Sequence, residues 1–306
     1  METCRVRALG SLVGLAVGDA IGTTLEFKPR DSYPPLTDMI GGGPFHLAAG
    51  QWTDDTAMAL ALGDSLRNFP HLEPDDLMMA FLAWRDSGRY SCTHTCFDIG
   101  LTTLQALEFF RHTHNPIAGR TDPESAGNGS LMRLAPVAIR HWRDRETLDR
   151  VAALQSRTTH GAPEAVDACR AYASILADAI AGASKNDLLE ARLPRDGGNW
   201  AGEVATVIAG SWATKSRDEI KSTGYVVASL EAALWCFANT ATFAEAVLLA
   251  ANLGDDADTV AAITGQLAGA HYGLSGIPEH WRERLAMYDL IELDAGRLFD
   301  AGEGPA

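Results

Sequence analysis

With 306 residues, of which 46% are hydrophobic and 21% charged, the chain has the composition of a folded globular protein, and disorder is excluded. Its 40 acidic and 25 basic residues give a net charge of −15, which argues against nucleic acid as a partner because phosphate binding requires a basic surface. Five cysteines are an odd number in a long chain, so we expect free thiols and a cytoplasmic location rather than a disulfide framework.

The first predicted element lies in the apolar segment 8–17. Two arginines precede it, as in a signal peptide, but glycine also recurs at every fourth position, which a signal peptide does not need. The segment is shorter than the roughly 18 residues that a membrane span requires, so no membrane association is expected. We predict a buried helix whose glycines let a second helix backbone approach closely, namely Gly10, Gly14, Gly18 and Gly22.

Five further segments have apolar residues at spacings of three and four, which is typical of helices with one buried face. They span residues 56–67, 74–87, 101–111, 162–183 and 229–238. Asp98 and Thr242 are expected to cap the helices that follow them, and 204–207 is ambiguous between helix and strand. Because alternating strand patterns are scarce, we predict one all-α domain over 1–300, with a frayed tail at 301–306.

Loops rich in glycine and proline are expected at residues 28–51, 115–129 and 193–199, converging on one face of the domain. Two acidic clusters, 53–56 and 255–259, each precede an apolar helix. One such cluster would be explained by helix capping, since Asp and Thr favour helix N-termini. Two clusters offer five carboxylates, more than caps require, and adjacent carboxylates repel unless a cation lies between them. Their all-oxygen donors suit two Mg²⁺ or Mn²⁺ ions better than zinc.

Asp19 and Glu26 are seven residues apart and would share one face of a continuous helix, although two solvated acids are an equal alternative. The apolar neighbours of Glu26 would raise its pKa and suit it to proton transfer. The glycine turn 127–133 could offer backbone N–H groups to a phosphate, although it lacks the lysine of a P-loop and, taken alone, is better explained as a plain loop. His160 stands beside a glycine that would permit close ligand approach, whereas a lone histidine is usually structural. Tyr225 and Trp52 could stack on a base, but each taken alone is better explained as a core residue.

Together these motifs resemble the ADP-ribosylglycohydrolase family. The matching pieces are GLAVGDAIGTTLEF at 14–27, GQWTDDTAMALAL at 50–62, CFDIG at 96–100, GNGSLMR at 127–133, NLGDDADT at 252–259 and GQLAGAHYG at 265–273. The resemblance extends over about 7–278, and the order and spacing of the pieces make it specific.

The resemblance implies a compact, all-α, orthogonal helical bundle with a binuclear Mg²⁺ or Mn²⁺ site in a cleft formed by loops and helix N-termini. The implied metal ligands are Thr53, Asp54, Asp55, Asp256, Asp258 and Thr259. The carboxylates implied in catalysis are Glu26, Asp55, Asp98 and Asp256. The residues implied to hold ADP-ribose are Gly127, Asn128, Gly129, Ser130, Met132 and His160, and Tyr225 is added as a candidate for stacking.

The activity implied is metal-dependent release of ADP-ribose from a mono-ADP-ribosylated protein or small molecule, with arginine as the expected linkage and a monomer as the expected state. Three departures from the family pattern are Leu101 after CFDIG, Ala228, and Asp255 in place of a glycine; the first two put the linkage in question. The alternatives are serine, O-acetyl, nucleobase or free-guanidine linkages, a binuclear-metal phosphohydrolase, and an inactive ADP-ribose-binding relative.

Overall fold

A computed structural model describes residues 2–190, 192, 194 and 197–303. Within these residues the backbone forms α-helices, short 3₁₀ turns and three isolated bridges, with no β-strand, which confirms the all-α prediction. The first seven helices are α1 Glu2–Gly22, α2 Asp54–Asn68, α3 Pro74–Ser87, α4 Leu101–Thr113, α5 Ala135–His141, α6 Arg145–Thr159 and α7 Pro163–Ala181. The others are α8 Lys185–Leu189, α9 Val204–Ile208, α10 Val226–Ala238, α11 Phe243–Ala251, α12 Ala257–Tyr272, α13 Glu279–Arg284 and α14 Tyr288–Gly302.

The five helices expected from apolar spacing are all present, as α2, α3, α4, α7 and α10. The ambiguous segment 204–207 is helical, within α9. Thr242 caps α11 through a capping box with Glu245, as predicted. Helix α14 continues to Gly302, past the expected boundary at residue 300. Residues 304–306 of the predicted tail, and 193, 195 and 196 of the third loop, lie outside the described residues.

Helix α1 lies against α12 at a distance that only glycine allows. A Cβ atom added at Gly18 would stand 2.1 Å from the carbonyl oxygen of Ala261, and one at Gly14 would stand 2.3 Å from that of Gly265. The reverse also holds, because a Cβ at Gly265 would stand 2.0 Å from the oxygen of Gly14. The predicted role of the glycine row is therefore confirmed, and α12 supplies a matching row. This contact fixes the end of α1 beside the start of α12.

The apolar surface of α1 is turned entirely into the protein core. By length and composition the helix over Thr3–Leu25 could cross a membrane, which corrects the expectation that the apolar stretch is too short. Every residue of its most apolar window is nevertheless buried inside the fold, as expected for a central core helix. All five cysteines are free, and Trp52 is fully buried with its Nε1 donating to Ala286 O at 3.0 Å, so it is a core residue.

Candidate functional site

The N-terminus of α2 is held by Asp19, which lies in the last turn of α1. One carboxylate oxygen accepts from Thr53 N at 2.8 Å and Thr53 Oγ1 at 2.9 Å. The other accepts from Thr56 N at 3.0 Å and Thr56 Oγ1 at 2.6 Å. No side chain of α2 caps its own helix. The capping explanation for the first acidic cluster is therefore excluded, and its carboxylates are left for another purpose.

The second acidic cluster also does not cap its helix through a side chain. Asp256 occupies the N-cap position of α12 but makes no side-chain cap hydrogen bond. Instead, its Oδ2 accepts from Asn128 Nδ2 at 2.6 Å. Asp258 Oδ2 lies 3.3 Å from Thr53 Oγ1, so the two clusters meet although they are far apart in sequence. The approach of α1 to α12 thus brings the acidic ends of α2 and α12 together.

The carboxylates form two groups that share one residue. Oxygen atoms of Asp19, Asp55 and Asp258 lie within 4.8 Å of one another, and so do those of Glu26, Asp256 and Asp258. Asp55 Oδ1 is buried without a hydrogen-bond partner among the described residues. A buried carboxylate oxygen that lacks a partner is unfavourable unless a cation binds it. This all-oxygen donor set fits hard divalent cations.

The electrostatics of the acidic groups also favour a bound cation. Burial, followed by repulsion from Asp258, raises the pKa of Asp19 to about 7. The same two causes raise the pKa of Asp256 to about 7 and hold that of Asp54 well above its usual range. The pKa of Glu26 is also raised strongly, first by burial and then by repulsion from Asp258. A divalent ion would replace this repulsion by attraction.

Asp19 and Glu26 reach the acidic groups by a route that the sequence did not predict. Helix α1 ends at Gly22, and a 3₁₀ turn over Thr23–Leu25 follows, so the two acids do not lie on one continuous helix. Neither is solvated, since Asp19 is fully buried and Glu26 is 4% exposed. The sequence signal for Asp19 was a charged residue within an apolar stretch of small residues. Asp54 and Thr259 line a cavity that opens beside these acidic groups.

A cavity of about 800 Å³ opens from the acidic groups. Its acidic lining residues, together with Thr259, are Glu26, Asp54, Asp98, Asp256 and Asp258. Its lining also includes the neutral residues Gly127, Asn128, Gly129, Met132 and His160. This volume lies within the range of small-molecule sites. The cavity therefore combines an acidic lining with neutral groups, and Asn128 joins the two through its hydrogen bond to Asp256.

Asp98 belongs to the cavity and not to a helix cap. The N-cap of α4 is Gly100, with no side-chain cap bond, so the capping prediction for Asp98 is wrong. Its backbone is left-handed, with φ of 59°, a conformation uncommon outside glycine. Burial, together with repulsion from Asp54 and Asp258, raises the pKa of Asp98 to about 11. Such strain is often found where a side chain is held for function.

Asp255 takes part through its backbone. Its φ is 54°, again left-handed, which explains why the related pattern has glycine here and why Asp is tolerated. Phe27 N donates to Asp255 O at 2.8 Å, and Asp255 N donates to Lys28 O at 2.8 Å. This pair of bonds ties the loop after Glu26 to the second acidic cluster. Phe27 and Leu101 also line the cavity, and their side chains are largely exposed, at 66% and 68%.

Two of the residues expected to hold the ligand lie elsewhere. Ser130 is buried behind the glycine turn, where its Oγ contacts Ser156 Oγ at 2.8 Å, and it is not among the cavity-lining residues. Tyr225 pairs through its backbone with Gly127, but its hydroxyl donates to Glu164 at 2.6 Å, and its ring is not among those residues either. Both residues therefore pack or pair with the glycine turn 127–133 and do not line the cavity. Sequence position alone could not show which way these side chains point.

His160 faces the glycine turn. Its ring is buried, its Nδ1 lies 2.8 Å from Thr159 Oγ1, and a Cβ atom added at Gly129 would stand 2.8 Å from its Cε1. Burial lowers the pKa of His160 to about 3, and the nearby charge of Arg133 contributes. The imidazole is therefore neutral. Arg133, the last residue of GNGSLMR, is fully buried and was not among the predicted site residues.

The chain is similar along most of its length to several known proteins. An ADP-ribosylarginine hydrolase, Tri1, of Pseudomonas putida (strain GB-1) is 47% identical over 300 residues, covering 96% of this chain and 78% of the relative. The ADP-ribosyl-[dinitrogen reductase] glycohydrolase of Rhodospirillum rubrum is 32% identical, covering 96% and 95%. A solved structure named as an ADP-ribosylglycohydrolase-related protein complex superposes with a TM-score of 0.87 at 39% identity, covering 99% and 100%. The ADP-ribosylglycohydrolase family profile matches residues 1–306, and the chain therefore belongs to the ADP-ribosylglycohydrolase family.

Proposed function

We propose that this protein hydrolyses the N-glycosidic bond between ADP-ribose and arginine and releases ADP-ribose. The relative from Pseudomonas putida is named for this activity and shares 47% identity with the chain. The structural observation that carries the proposal is a single cavity lined both by buried carboxylates and by a glycine turn with His160. Such a cavity offers acidic groups for the ribose that reacts and neutral donors for the diphosphate of the same ligand.

The proposal includes two divalent ions, Mg²⁺ or Mn²⁺, at the two acidic groups. The partnerless Oδ1 of Asp55 and the all-oxygen donors support it. The proposed ligands are Thr53, Asp54, Asp55, Asp256, Asp258 and Thr259, with Glu26 beside them. Asp19 already accepts four hydrogen bonds, which is the capacity of a carboxylate, so we assign it to positioning Thr53. When bound, such ions orient sugar hydroxyls and lower the pKa of water.

In the proposed reaction the bond between the anomeric carbon and the arginine nitrogen breaks, and a bond from that carbon to a water oxygen forms. The transition state has oxocarbenium character. The guanidinium is already cationic in the substrate, so the proton that water loses must reach the departing nitrogen. We assign this transfer to Asp98, which lines the cavity. Its raised pKa keeps a proton on the carboxyl, so it can give that proton to the departing nitrogen and then take up the proton that water loses. Glu26, in contrast, belongs to the acidic group with Asp256 and Asp258, so we assign its carboxylate to the cation rather than to proton transfer.

The proposal is tested by a mass-spectrometric release assay with peptides ADP-ribosylated on arginine or on serine. We expect free ADP-ribose from the arginine peptide in the presence of Mn²⁺ or Mg²⁺. We also expect its loss after chelation or in Asp256→Asn, which removes a carboxylate from an acidic group. Release from the serine peptide alone would contradict the arginine linkage, and release of phosphate instead of ADP-ribose would indicate a phosphohydrolase.

Asp98→Asn tests the assignment of proton transfer. We expect kcat on ADP-ribosyl-arginine to fall by about 10²–10³-fold, because an amide can neither pass a proton to the departing nitrogen nor take one from water. Metal-dependent thermal stabilisation should persist, because Asp98 is not a proposed ligand and Asn can keep its hydrogen bond to Asp258. The matched control is Asp218→Asn, an aspartate of a short surface turn, which should leave kcat unchanged. An Asp98 variant that keeps full kcat would overturn the assignment and direct attention to Glu26.

A further inference from the structure

Arg133 is a buried cation for which the described residues provide no carboxylate partner. It is 0% exposed, and its guanidinium donates to Gln155 Oε1 at 3.0 Å, to Gln155 O at 2.9 Å and to Thr159 Oγ1 at 2.9 Å. Phe81 covers one face of the group, with the ring centroid 4.6 Å away. Burial lowers the pKa of Arg133 to about 9, so it is still charged at neutral pH. Burying a cation without a counter-ion is costly.

The hydroxyl of Thr159 connects this cation to His160. Among the described residues its hydrogen-bond partners are Arg133 Nη2 and His160 Nδ1. A guanidinium N–H can only donate, so Thr159 Oγ1 accepts from Arg133. The hydroxyl hydrogen then has one acceptor within reach, which is His160 Nδ1. Leaving a buried hydroxyl hydrogen unpaired would be unfavourable, so Thr159 donates to that nitrogen.

The direction of this bond fixes the histidine tautomer. A neutral imidazole has one N–H, and because Nδ1 accepts, the hydrogen must reside on Nε2. Nε2 faces the glycine turn, since a Cβ atom added at Gly129 would stand 3.1 Å from it and one at Gly127 would stand 3.3 Å from it. Glycine at both positions leaves this N–H open to the cavity, where His160 is a lining residue.

We propose that Arg133 and Thr159 are positioning residues that hold His160 as the Nε2–H tautomer, so that it donates a hydrogen bond to an acceptor oxygen of the bound ADP-ribose. The acceptor rests on the proposed function, whereas the tautomer does not. Arg133 acts at a distance, because its donation polarises the Thr159 hydroxyl and orients it toward Nδ1. The neutral ring can then serve a phosphate or ribose oxygen without adding a charge to the cavity.

The test is long-range ¹H–¹⁵N NMR of histidine side chains in the whole protein, with the His160 signals assigned by their absence in His160→Gln. We expect the wild type to show the Nε2–H form at neutral pH, with an unprotonated, hydrogen-bonded Nδ1. Thr159→Val has the same shape and no hydroxyl, and a minor Nδ1–H form should appear. Thr159→Ser restores the hydroxyl and should restore the wild-type spectrum. An Nδ1–H tautomer or a charged ring in the wild type would overturn the inference.

ADP-ribose affinity, measured by calorimetry, separates positioning from general stability. Thr159→Val should bind ADP-ribose about tenfold more weakly, the effect of one hydrogen bond, and Thr159→Ser should bind as the wild type does. Equal affinity in Thr159→Val and the wild type would overturn the positioning role. Failure of the wild type to bind ADP-ribose would contradict the proposed function instead, and the NMR result would still decide the tautomer.

Discussion

Asp258→Asn is expected to reduce kcat/KM on ADP-ribosyl-arginine by about 10³-fold or more. The reason is that Asp258 is the one residue common to both acidic groups, so a single substitution weakens both proposed metal sites. A bound cation contributes several kcal/mol to transition-state stabilisation, and each 1.4 kcal/mol corresponds to about tenfold in rate. Asn has the same shape as Asp and keeps one oxygen, so the fold should be retained. Steady-state kinetics with saturating Mn²⁺ measure the effect.

The same substitution should have the opposite effect on stability when no metal is present. Repulsion from Asp258 raises the pKa of Asp19, Asp54 and Asp256, so the buried carboxylates destabilise one another. Removing one charge should raise the melting temperature in EDTA by about 2–4 °C, which corresponds to roughly 1 kcal/mol. The rise that Mn²⁺ produces in the wild type should be lost. Thermal melts with and without the ion measure both quantities.

Asp294→Asn is the matched control, because Asp294 is also a buried aspartate. It forms an ion pair with Arg67 at 2.7 Å, at the far end of α2 from the acidic groups. Asn removes one of the two carboxylates that pair with Arg67, the other being Asp64, so this variant should melt at a lower temperature. Its kcat/KM and its stabilisation by Mn²⁺ should equal those of the wild type. Equal losses of activity in the two variants would mean that Asp258 acts through stability alone.

Gly18→Ala is the second change for which we expect a large effect. In an ordinary helix the replacement of glycine by alanine stabilises the protein. Here the new Cβ would stand 2.1 Å from the carbonyl oxygen of Ala261, which belongs to backbone and cannot move aside alone. We expect the free energy of unfolding to fall by about 3 kcal/mol, at the upper end of overpacking effects. Urea denaturation measures this change.

The loss of stability at Gly18 should be accompanied by weaker metal binding. Helices α1 and α12 carry Asp19 and Asp258, and any separation of the helices moves these acids apart. Gly63→Ala is the control within α2, because its new Cβ would meet side chains alone, the end of Leu298 at 3.3 Å and Pro136 at 3.8 Å. That variant should stay within about 1 kcal/mol of the wild type. A Gly18 variant as stable as Gly63→Ala would show that the helices need not touch.

The parts of the structure that were predictable are those set by local sequence. Apolar spacing gave the helices, because one face of each must be buried, and the glycine row of α1 indicated a close helix contact. The acidic clusters indicated a cation site, since their number exceeds the needs of capping. All three inferences depend on residue type and spacing, and none depends on the orientation of a particular side chain.

The parts that could not be predicted depend on tertiary direction. The position of Asp98 before α4 predicts a helix cap, but its left-handed backbone directs the side chain toward the cavity. Ser130 belongs to a turn that lines the cavity and yet points behind it. Tyr225 is held by Glu164, a residue distant in sequence. In each case the deciding partner comes from another element, and no local pattern reveals it.

The pairing of α1 with α12 also has a consequence for synthesis of the protein. The ribosome releases α1 first, and the helix that covers its glycine face follows only after more than 230 further residues. Until then the glycine face of this apolar helix is uncovered, although α2, α5, α7 and α11 can already pack elsewhere on it, and closing so long a loop is entropically slow. Nascent chains should therefore depend on chaperones, and a chain that terminates before residue 257 should be degraded rather than accumulate as a partly active enzyme.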